Sequence, residues 1–175
     1  MRKLFAAALF VGTISLPLVA QDYPKVEAFG GYQYLRLGGG NPAVNANGWN
    51  ASVAGNVNEV VGVAADFSGA YKTLNGVSVD TYTYTFGPVI SLNHEGKVNP
   101  FVHALFGGTH IGASLAGFGS SSVNGFAMLY GGGADVKLNR SFALRVVQAD
   151  WVYYHVSGNS SKKNLRISTG IVFRF

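Results

Sequence analysis

The sequence predicts an all-β fold: an eight-stranded antiparallel up-and-down transmembrane β-barrel. Three observations predict it. Apolar and polar residues alternate with a period of two almost everywhere, the signature of strands with one buried and one exposed face. Only 12% of the 175 residues are charged, while 48% are hydrophobic and 13% aromatic. A soluble globular chain carries roughly 25% charged residues. Finally, no apolar stretch beyond residue 20 reaches the roughly 20 residues a membrane helix needs. In lipid, only helices and closed barrels satisfy every backbone polar group.

Composition excludes other classes. A disordered chain would be richer in charge and poorer in aromatics. With no cysteine there is neither a disulfide scaffold nor a thiolate metal site. The isoelectric point is about 9.5, but 13 Lys and Arg against 8 Asp and Glu is a small excess. No basic cluster larger than Lys162-Lys163 occurs, so nucleic acid is not an expected partner.

Residues 1–20 read as a secretory signal peptide. Arg2 and Lys3 form a positive start, Leu4 to Leu16 is an apolar run, and small Ala20 precedes polar Gln21-Asp22. The run is too short to cross a bilayer. Residues 21–175 would form the barrel domain of an exported protein.

Eight strands follow in order. In 25–36, Val26, Ala28, Tyr32 and Tyr34 oppose Glu27, Gly31 and Gln33. In 48–57, Trp49, Ala51, Val53 and Val57 oppose Asn50, Ser52 and Asn56. In 60–71, Val61, Val63, Ala65, Phe67 and Tyr71 oppose Gly62, Ala64, Asp66, Ser68 and Ala70. In 79–91, Tyr82, Tyr84, Phe86, Pro88 and Ile90 oppose Thr81, Thr83, Thr85 and Gly87. In 98–111 both faces are apolar, and the pattern leaves open whether His103 or Phe106 points inward. In 124–136, Phe126, Met128, Tyr130, Ala134 and Val136 oppose Ala127, Gly131, Gly133 and Asp135. In 141–154, Leu144 and Val146 oppose Arg145, but Gln148 and Asp150 then fall on the apolar face. Either a bulge near Val147-Gln148 flips the parity and turns Trp151 and Tyr153 outward, or Asp150 sits at headgroup level; the bulge is the preferred reading. In 163–175, Leu165, Ile167, Thr169, Ile171, Phe173 and Phe175 oppose Asn164, Arg166, Ser168, Gly170, Val172 and Arg174.

Connections alternate in length. Asn58-Glu59, Leu92–Lys97 and Lys137–Arg140 are short. Leu37–Asn47, Lys72–Ser78, Gly112–Val123 and His155–Lys162 are longer and rich in Gly, Ser and Asn. Short turns on one side, long loops on the other and an even strand count are the pattern of an outer-membrane barrel. A soluble barrel would need the small-and-polar face outside, and such a surface normally carries far more charge.

Eight strands leave a lumen that side chains can fill. Glu27, Asp66 and Asp135 are expected to face inward against Arg145, Arg166 and Arg174. Barrel closure would place Glu27 beside Arg174, and the hairpin around 137–140 would place Asp135 beside Arg145. Buried charges need partners, so a plug of ion pairs is expected rather than a gated path. The aromatics Tyr32, Tyr34, Trp49, Tyr71, Tyr82, Trp151 and Tyr153 gather near the long-loop side. Phe142, Phe173 and Phe175 gather near the short-turn side, as two interfacial belts would require.

The C-terminal Gly170-Ile171-Val172-Phe173-Arg174-Phe175 resembles the β-signal of outer-membrane proteins. That resemblance implies that Phe175, Phe173 and Ile171 are read by the barrel-assembly machinery, with periplasmic chaperones as further partners. The whole of 21–175 resembles the small eight-stranded outer-membrane barrels, which include the OmpA transmembrane domain and OmpX. Phe86-Gly87-Pro88, Pro100-Phe101-Val102 and Gly131-Gly132-Gly133-Ala134-Asp135-Val136 resemble that family's glycine-rich strands. No peptidoglycan-binding domain follows strand eight, so cell-wall tethering is not implied.

Catalytic signals are sparse. His94, His103, His110 and His155 form no pair at metal-ligand spacing, and there is no Gly-x-Ser-x-Gly elbow. No cofactor is expected. His155-Val156-Ser157 resembles the His-x-Ser motif of the PagL lipid A deacylases, but no acid follows Asp150 to orient such a base. The expected function is therefore a non-enzymatic outer-membrane barrel, in contact with outer-membrane lipid, acting structurally or through its extracellular loops. A narrow pore for small solutes is the alternative, and a deacylase a more distant one.

Overall fold

The computed structural model describes residues 23–39, 43–74, 76–94, 96–115 and 119–175. The signal peptide reading at 1–20 lies outside them. Eight strands follow in chain order: β1 Val26–Leu37, β2 Val44–Asn56, β3 Val61–Leu74, β4 Val77–Ser91, β5 Val98–Leu115, β6 Gly119–Lys137, β7 Phe142–Val156 and β8 Asn159–Arg174. Each pairs antiparallel with the next, and β8 returns to β1 to close the barrel. Closure sets Glu27 opposite Arg174 and Leu35 opposite Arg166.

The two faces divide as the period-two pattern predicts. Val53, Val63, Phe67, Phe86, Val102, Tyr130 and Ile171 are exposed around the outside, while Gln33, Asn50, Asp66, Thr85, Thr109, Arg166 and Ser168 are buried inside. This is inside-out relative to a water-soluble barrel. Aromatic side chains ring the outside at two levels. Trp49 Nε1 donates to Tyr71 Oη at 3.0 Å, and the Tyr71 ring meets Tyr82 edge-on at 5.9 Å. Tyr130 stacks on Trp151 at 6.5 Å, and Phe142 packs on Phe173 at 5.2 Å at the other end. Tyr34 and Tyr153, expected outside, are half-buried at that face.

The open parity in 98–111 resolves. Phe106 is exposed, whereas Phe101 and Leu105 are buried, and the His103 side chain faces inward beside Asp150. In β7 the bulge is present. Ala134 pairs with Val147 and Asp135 with Arg145, so the register slips by one residue. Val146 and Val147 are consecutive and both exposed, at 51% and 44%. The extra residue resets the parity: Gln148, Asp150 and Val152 turn inward and Trp151 turns out.

The four longer connections are corrected. The strands run on past the expected ends, leaving only residues 38–43, 75–76, 116–118 and 157–158 between them. Ala113 to Leu115 pair with Gly119 to Ser121 in what read as loop. Beyond the apolar belt both faces of a strand meet water, so pairing continues where alternation stops, and composition alone cannot reveal it. Ser157 and Gly158 form a two-residue turn with φ of 49° and 80°, the positive-φ geometry that matches strand twist.

At the opposite end the short turns share one device. Asn58 Oδ1 accepts from the backbone N–H of Val60 and Val61 at 2.8 and 2.7 Å. Asn139 does the same for Ser141 and Phe142 at 2.9 and 2.8 Å, and Asn93 for Gly96 at 2.9 Å. Such side-chain acceptors replace the ladder partner that a chain reversal removes.

Candidate functional site

The chemistry-bearing residues converge in the lumen, in two groups. The larger crosses the barrel. Arg166 on β8 sets Nη1 at 2.6 Å from Asp66 Oδ1 on β3 and Nη2 at 2.6 Å from Asp150 Oδ2 on β7. Strands β1 and β2 lie between β8 and β3 on that side, so the pair bridges the interior rather than neighbouring strands. His103 Nε2 on β5 lies 2.8 Å from Asp150 Oδ1; a carboxylate can only accept, so this nitrogen carries the proton. Asn50 Nδ2 donates to Asp66 Oδ2 at 3.0 Å.

The network continues downward. Gln148 Nε2 donates to Asp150 Oδ2, and its Oε1 accepts from Arg145 Nη1, both at 2.8 Å. Arg145 grips Asp135 with two parallel bonds of 2.8 and 2.9 Å, the strong fork geometry. The Arg145 guanidinium also lies between Phe29 and Phe101, 4.4 and 4.3 Å from their ring centres. In a site dried by two aromatic faces, each such contact is worth up to about 2 kcal/mol.

Two glycines make this packing possible. Gly131 pairs with His103 on one side and Asp150 on the other. A Cβ there would fall 2.5 Å from Asp150 Oδ1 and 2.2 Å from the Ala149 carbonyl, so only glycine leaves room for the His103–Asp150 bond. Gly133 does the same for Phe101, whose Cζ would be 2.9 Å from an added Cβ.

The second group closes the short-turn end. Arg174 Nε donates to Glu27 Oε1 at 3.1 Å, and its Nη2 to the His94 carbonyl at 3.3 Å. His94, in the β4–β5 turn, sets Nδ1 2.7 Å from the Glu59 carbonyl in the β2–β3 turn and Nε2 3.6 Å from Glu27 Oε2. The carbonyl requires a proton on Nδ1. A neutral ring would then turn the bare Nε2 lone pair toward a carboxylate, an arrangement of two acceptors that protonation removes. Burial disfavours the charged ring, but Glu27 and the Glu59 carbonyl outweigh it, and the His94 pKa lies above its ordinary value. A raised pKa stabilises the fold below the unfolded-state value near 6.5 and loses that contribution as pH rises through the folded value. The denaturation midpoint of the detergent-refolded barrel is therefore expected to fall between about pH 6 and pH 9. His94→Gln should flatten that slope, and an unchanged slope in the variant would refute the assignment.

All six residues expected in lumen ion pairs are placed there: Glu27 with Arg174, Asp135 with Arg145, and Asp66 with Arg166. The expected balance of three acids against three arginines is corrected, because Asp150 joins them and His103 and His94 each face a carboxylate. The ambiguous parity of β5 and β7 hid the first two; nothing in the sequence around a turn histidine pointed to the third. The lumen holds a cavity of about 30 Å³ lined by Glu27, Ser52, Asp66, Asn99, His103 and Asp135 among others, room for about two waters. The terminal Ile171, Phe173 and Phe175 all project outward. His155 and Ser157 are not brought together as a nucleophilic pair: His155 Nδ1 bonds Ser160 Oγ at 2.9 Å, and Ser157 occupies the turn. Among the described residues no group of His, Asp or Glu is arranged to hold a metal.

No protein-family model and no curated protein matches the sequence. Solved structures do share the fold. Ail, the attachment invasion locus protein of Yersinia pestis, superposes with a TM-score of 0.63 at 21% identity, over 87% of this chain and 99% of that one. Neisserial surface protein A gives 0.70 at 11% identity, over 86% and 97%. The N-terminal barrel domain of Pseudomonas aeruginosa OprF gives 0.59 at 10%, over 87% and 98%. The chain has the fold of the small eight-stranded outer-membrane β-barrels.

Proposed function

We propose that this chain is an integral protein of the bacterial outer membrane, without enzymatic activity, whose sealed barrel carries a structural or surface-contact role on its extended hairpins. The observation that carries the reading is the Arg166 network, which joins β3, β5, β7 and β8 across the lumen inside a wall whose outer face is apolar. The hairpins at the far end, built from strands rather than loose loops, offer a firm surface to a ligand. Ail has been solved in complex with the heparin analogue sucrose octasulfate, which supports a ligand-binding role for the fold. The outward run Ile171, Phe173, Phe175 supports recognition by the barrel-assembly machinery during insertion.

A narrow pore is the second reading, favoured by the cavity that Asp66, Asp135, Arg145 and His103 help to line. Planar-bilayer recording decides between them. The native barrel is expected to give no stable open level, since the Arg166 bridge blocks the section where it crosses. Long-lived, ohmic channels would overturn the sealed lumen.

A further inference from the structure

The outer face of β4, β5 and β6 continues above the aromatic belt. Tyr82, His110 and Asn124 lie side by side on it across the three strands. Two residues further out, the next outward row is Asp80, Gly112 and Ser122, and beyond it Ser78, Ser114 and Ser120. A hollow of about 200 Å³ opens there, lined by Asp80, Gly112, Ser114, Ser120 and Ser122 among others. Gly112 makes its floor: a Cβ at that position would meet no atom within 4 Å. Among the described residues, the side chains of Asp80, Ser114, Ser120 and Ser122 have no hydrogen-bond or ion-pair partner. Asp80 is half-buried, so its carboxylate is partly withdrawn from water with its acceptor sites unfilled.

The row below is already set. Asn124 Oδ1 only accepts, so His110 Nδ1 donates to it at 2.7 Å. The Nε2 lone pair of the neutral ring and the Asn124 Nδ2 protons are left for a ligand. Tyr71 neighbours Asp80 on β3, and with Tyr82 it places two exposed aromatic rings at the margin of the hollow. Such rings take apolar C–H groups on their faces. Charge and size narrow the ligand. No Lys or Arg lines the hollow, and Asp80 repels phosphate and sulfate groups. A calcium ion takes about six to eight oxygens, which one carboxylate amid hydroxyls does not supply. Drug-sized ligands fill pockets of about 300 Å³ and more, whereas this hollow admits a single ring. An acceptor-only carboxylate, hydroxyls that donate and accept, and an amide donor match a ring edged with hydroxyl groups.

We propose that the hollow over Gly112, on the outer face of β4, β5 and β6, binds one uncharged pyranose unit of an external glycan, with Asp80 accepting from its hydroxyls. This rests on the surface-contact reading above and gives it a ligand class. The experiment is saturation-transfer NMR on the barrel refolded in tetraoxyethylene detergent, whose micelles carry neither sugar nor charge. The probes are the methyl glycosides of glucose, galactose and N-acetylglucosamine. A ligand of about a dozen non-hydrogen atoms binds at ordinary efficiency in the millimolar range, and at least one probe is expected to saturate there. Asp80→Asn keeps the shape and should weaken that binding about tenfold, through loss of a charged acceptor. Gly112→Val fills the floor and should abolish it; if gel mobility shows that this variant does not refold, Asp80→Asn carries the test. Arg140→Gln, at the opposite end, should bind as the native protein does, and the 6-phosphate of the bound sugar should bind more weakly than the glycoside. Saturation by none of the three probes overturns the proposal, as does native affinity in Asp80→Asn or equal binding of the 6-phosphate. Displacement of the glycoside by an equal concentration of choline assigns the hollow to a cation and overturns it as well. Each of these leaves the outer-membrane reading standing. A barrel that stays folded and monomeric in water without detergent overturns both.

Discussion

Arg166→Ala is expected to destabilise the folded barrel by about 3–5 kcal/mol, the cost of removing one partner from a buried ion pair. Arg166 is 2% exposed, and both its carboxylate partners are as fully enclosed. Deleting the guanidinium leaves Asp66 and Asp150 facing one another's charge in an interior with one fewer cation. His103 and Gln148 still bond Asp150, and Asn50 still bonds Asp66, so neither acid is stripped of all contacts. Those neighbours cannot replace the three charge-assisted bonds that Arg166 donates. Urea unfolding of the refolded barrel in vesicles, followed by gel mobility, measures the loss. The matched variant Asp66→Asn/Asp150→Asn/Arg166→Met removes charge on both sides and should recover most of it, because a buried charge costs most when it stands alone. Equal loss in the single and triple variants would mean that the network is held by shape rather than charge. The single variant is also the one expected to open the lumen to ions.

Phe67→Arg is expected to cost about 2–4 kcal/mol, the penalty for a cation near the midplane of a lipid-facing strand. Phe67 is exposed on the outer wall, packed edge-on against Phe86 with ring centres 6.0 Å apart. It lies below the Tyr71–Tyr82 contact and well above the Asn58 turn. For a barrel in water the same change at an exposed site would fall within about 0.5 kcal/mol. The substitution thus separates lipid from water outside the wall, which the outward position of the apolar residues alone does not. Spontaneous folding into phosphatidylcholine vesicles provides the measurement. A variant that folds as well as the native chain would place this face in water.

Much of the wall is legible in the sequence, for a physical reason. A strand between lipid and a filled lumen must alternate, and the alternation is written residue by residue. The last strand states it without a break from Leu165 to Phe175, and those outward and inward assignments match the exposures found. Eight strands, their order and the pairing of Glu27 with Arg174 follow from alternation plus closure. The bulge in β7 was visible for the same reason, as a place where the parity of Arg145 and Asp150 could not both hold without an extra residue.

Legibility fails where the constraint lapses. Above the belt, residues such as Ser120 to Ser122 face water on both sides, so a paired strand and a loose loop have the same composition. In β5, Phe101, Val102, Leu105 and Phe106 are apolar on both faces, because aromatic side chains fill the lumen as well as line the lipid. Only the structure assigns Phe101 to the sandwich around Arg145 and Phe106 to the outside.

The sequence by itself determined most of the wall: strand number, period, the lipid-facing set outside β5, and the need to bury Glu27, Asp66, Asp135, Arg145, Arg166 and Arg174. Tertiary structure alone decided the interior. The shear and the β7 slip fix which strands meet across the lumen, and with them that Asp66 reaches Arg166 from β3, a hundred residues away in sequence. Glycines at 131 and 133 leave the space into which His103 and Phe101 fit. A period of two tells which way a side chain points; what it meets there depends on distances between strands that no local pattern encodes.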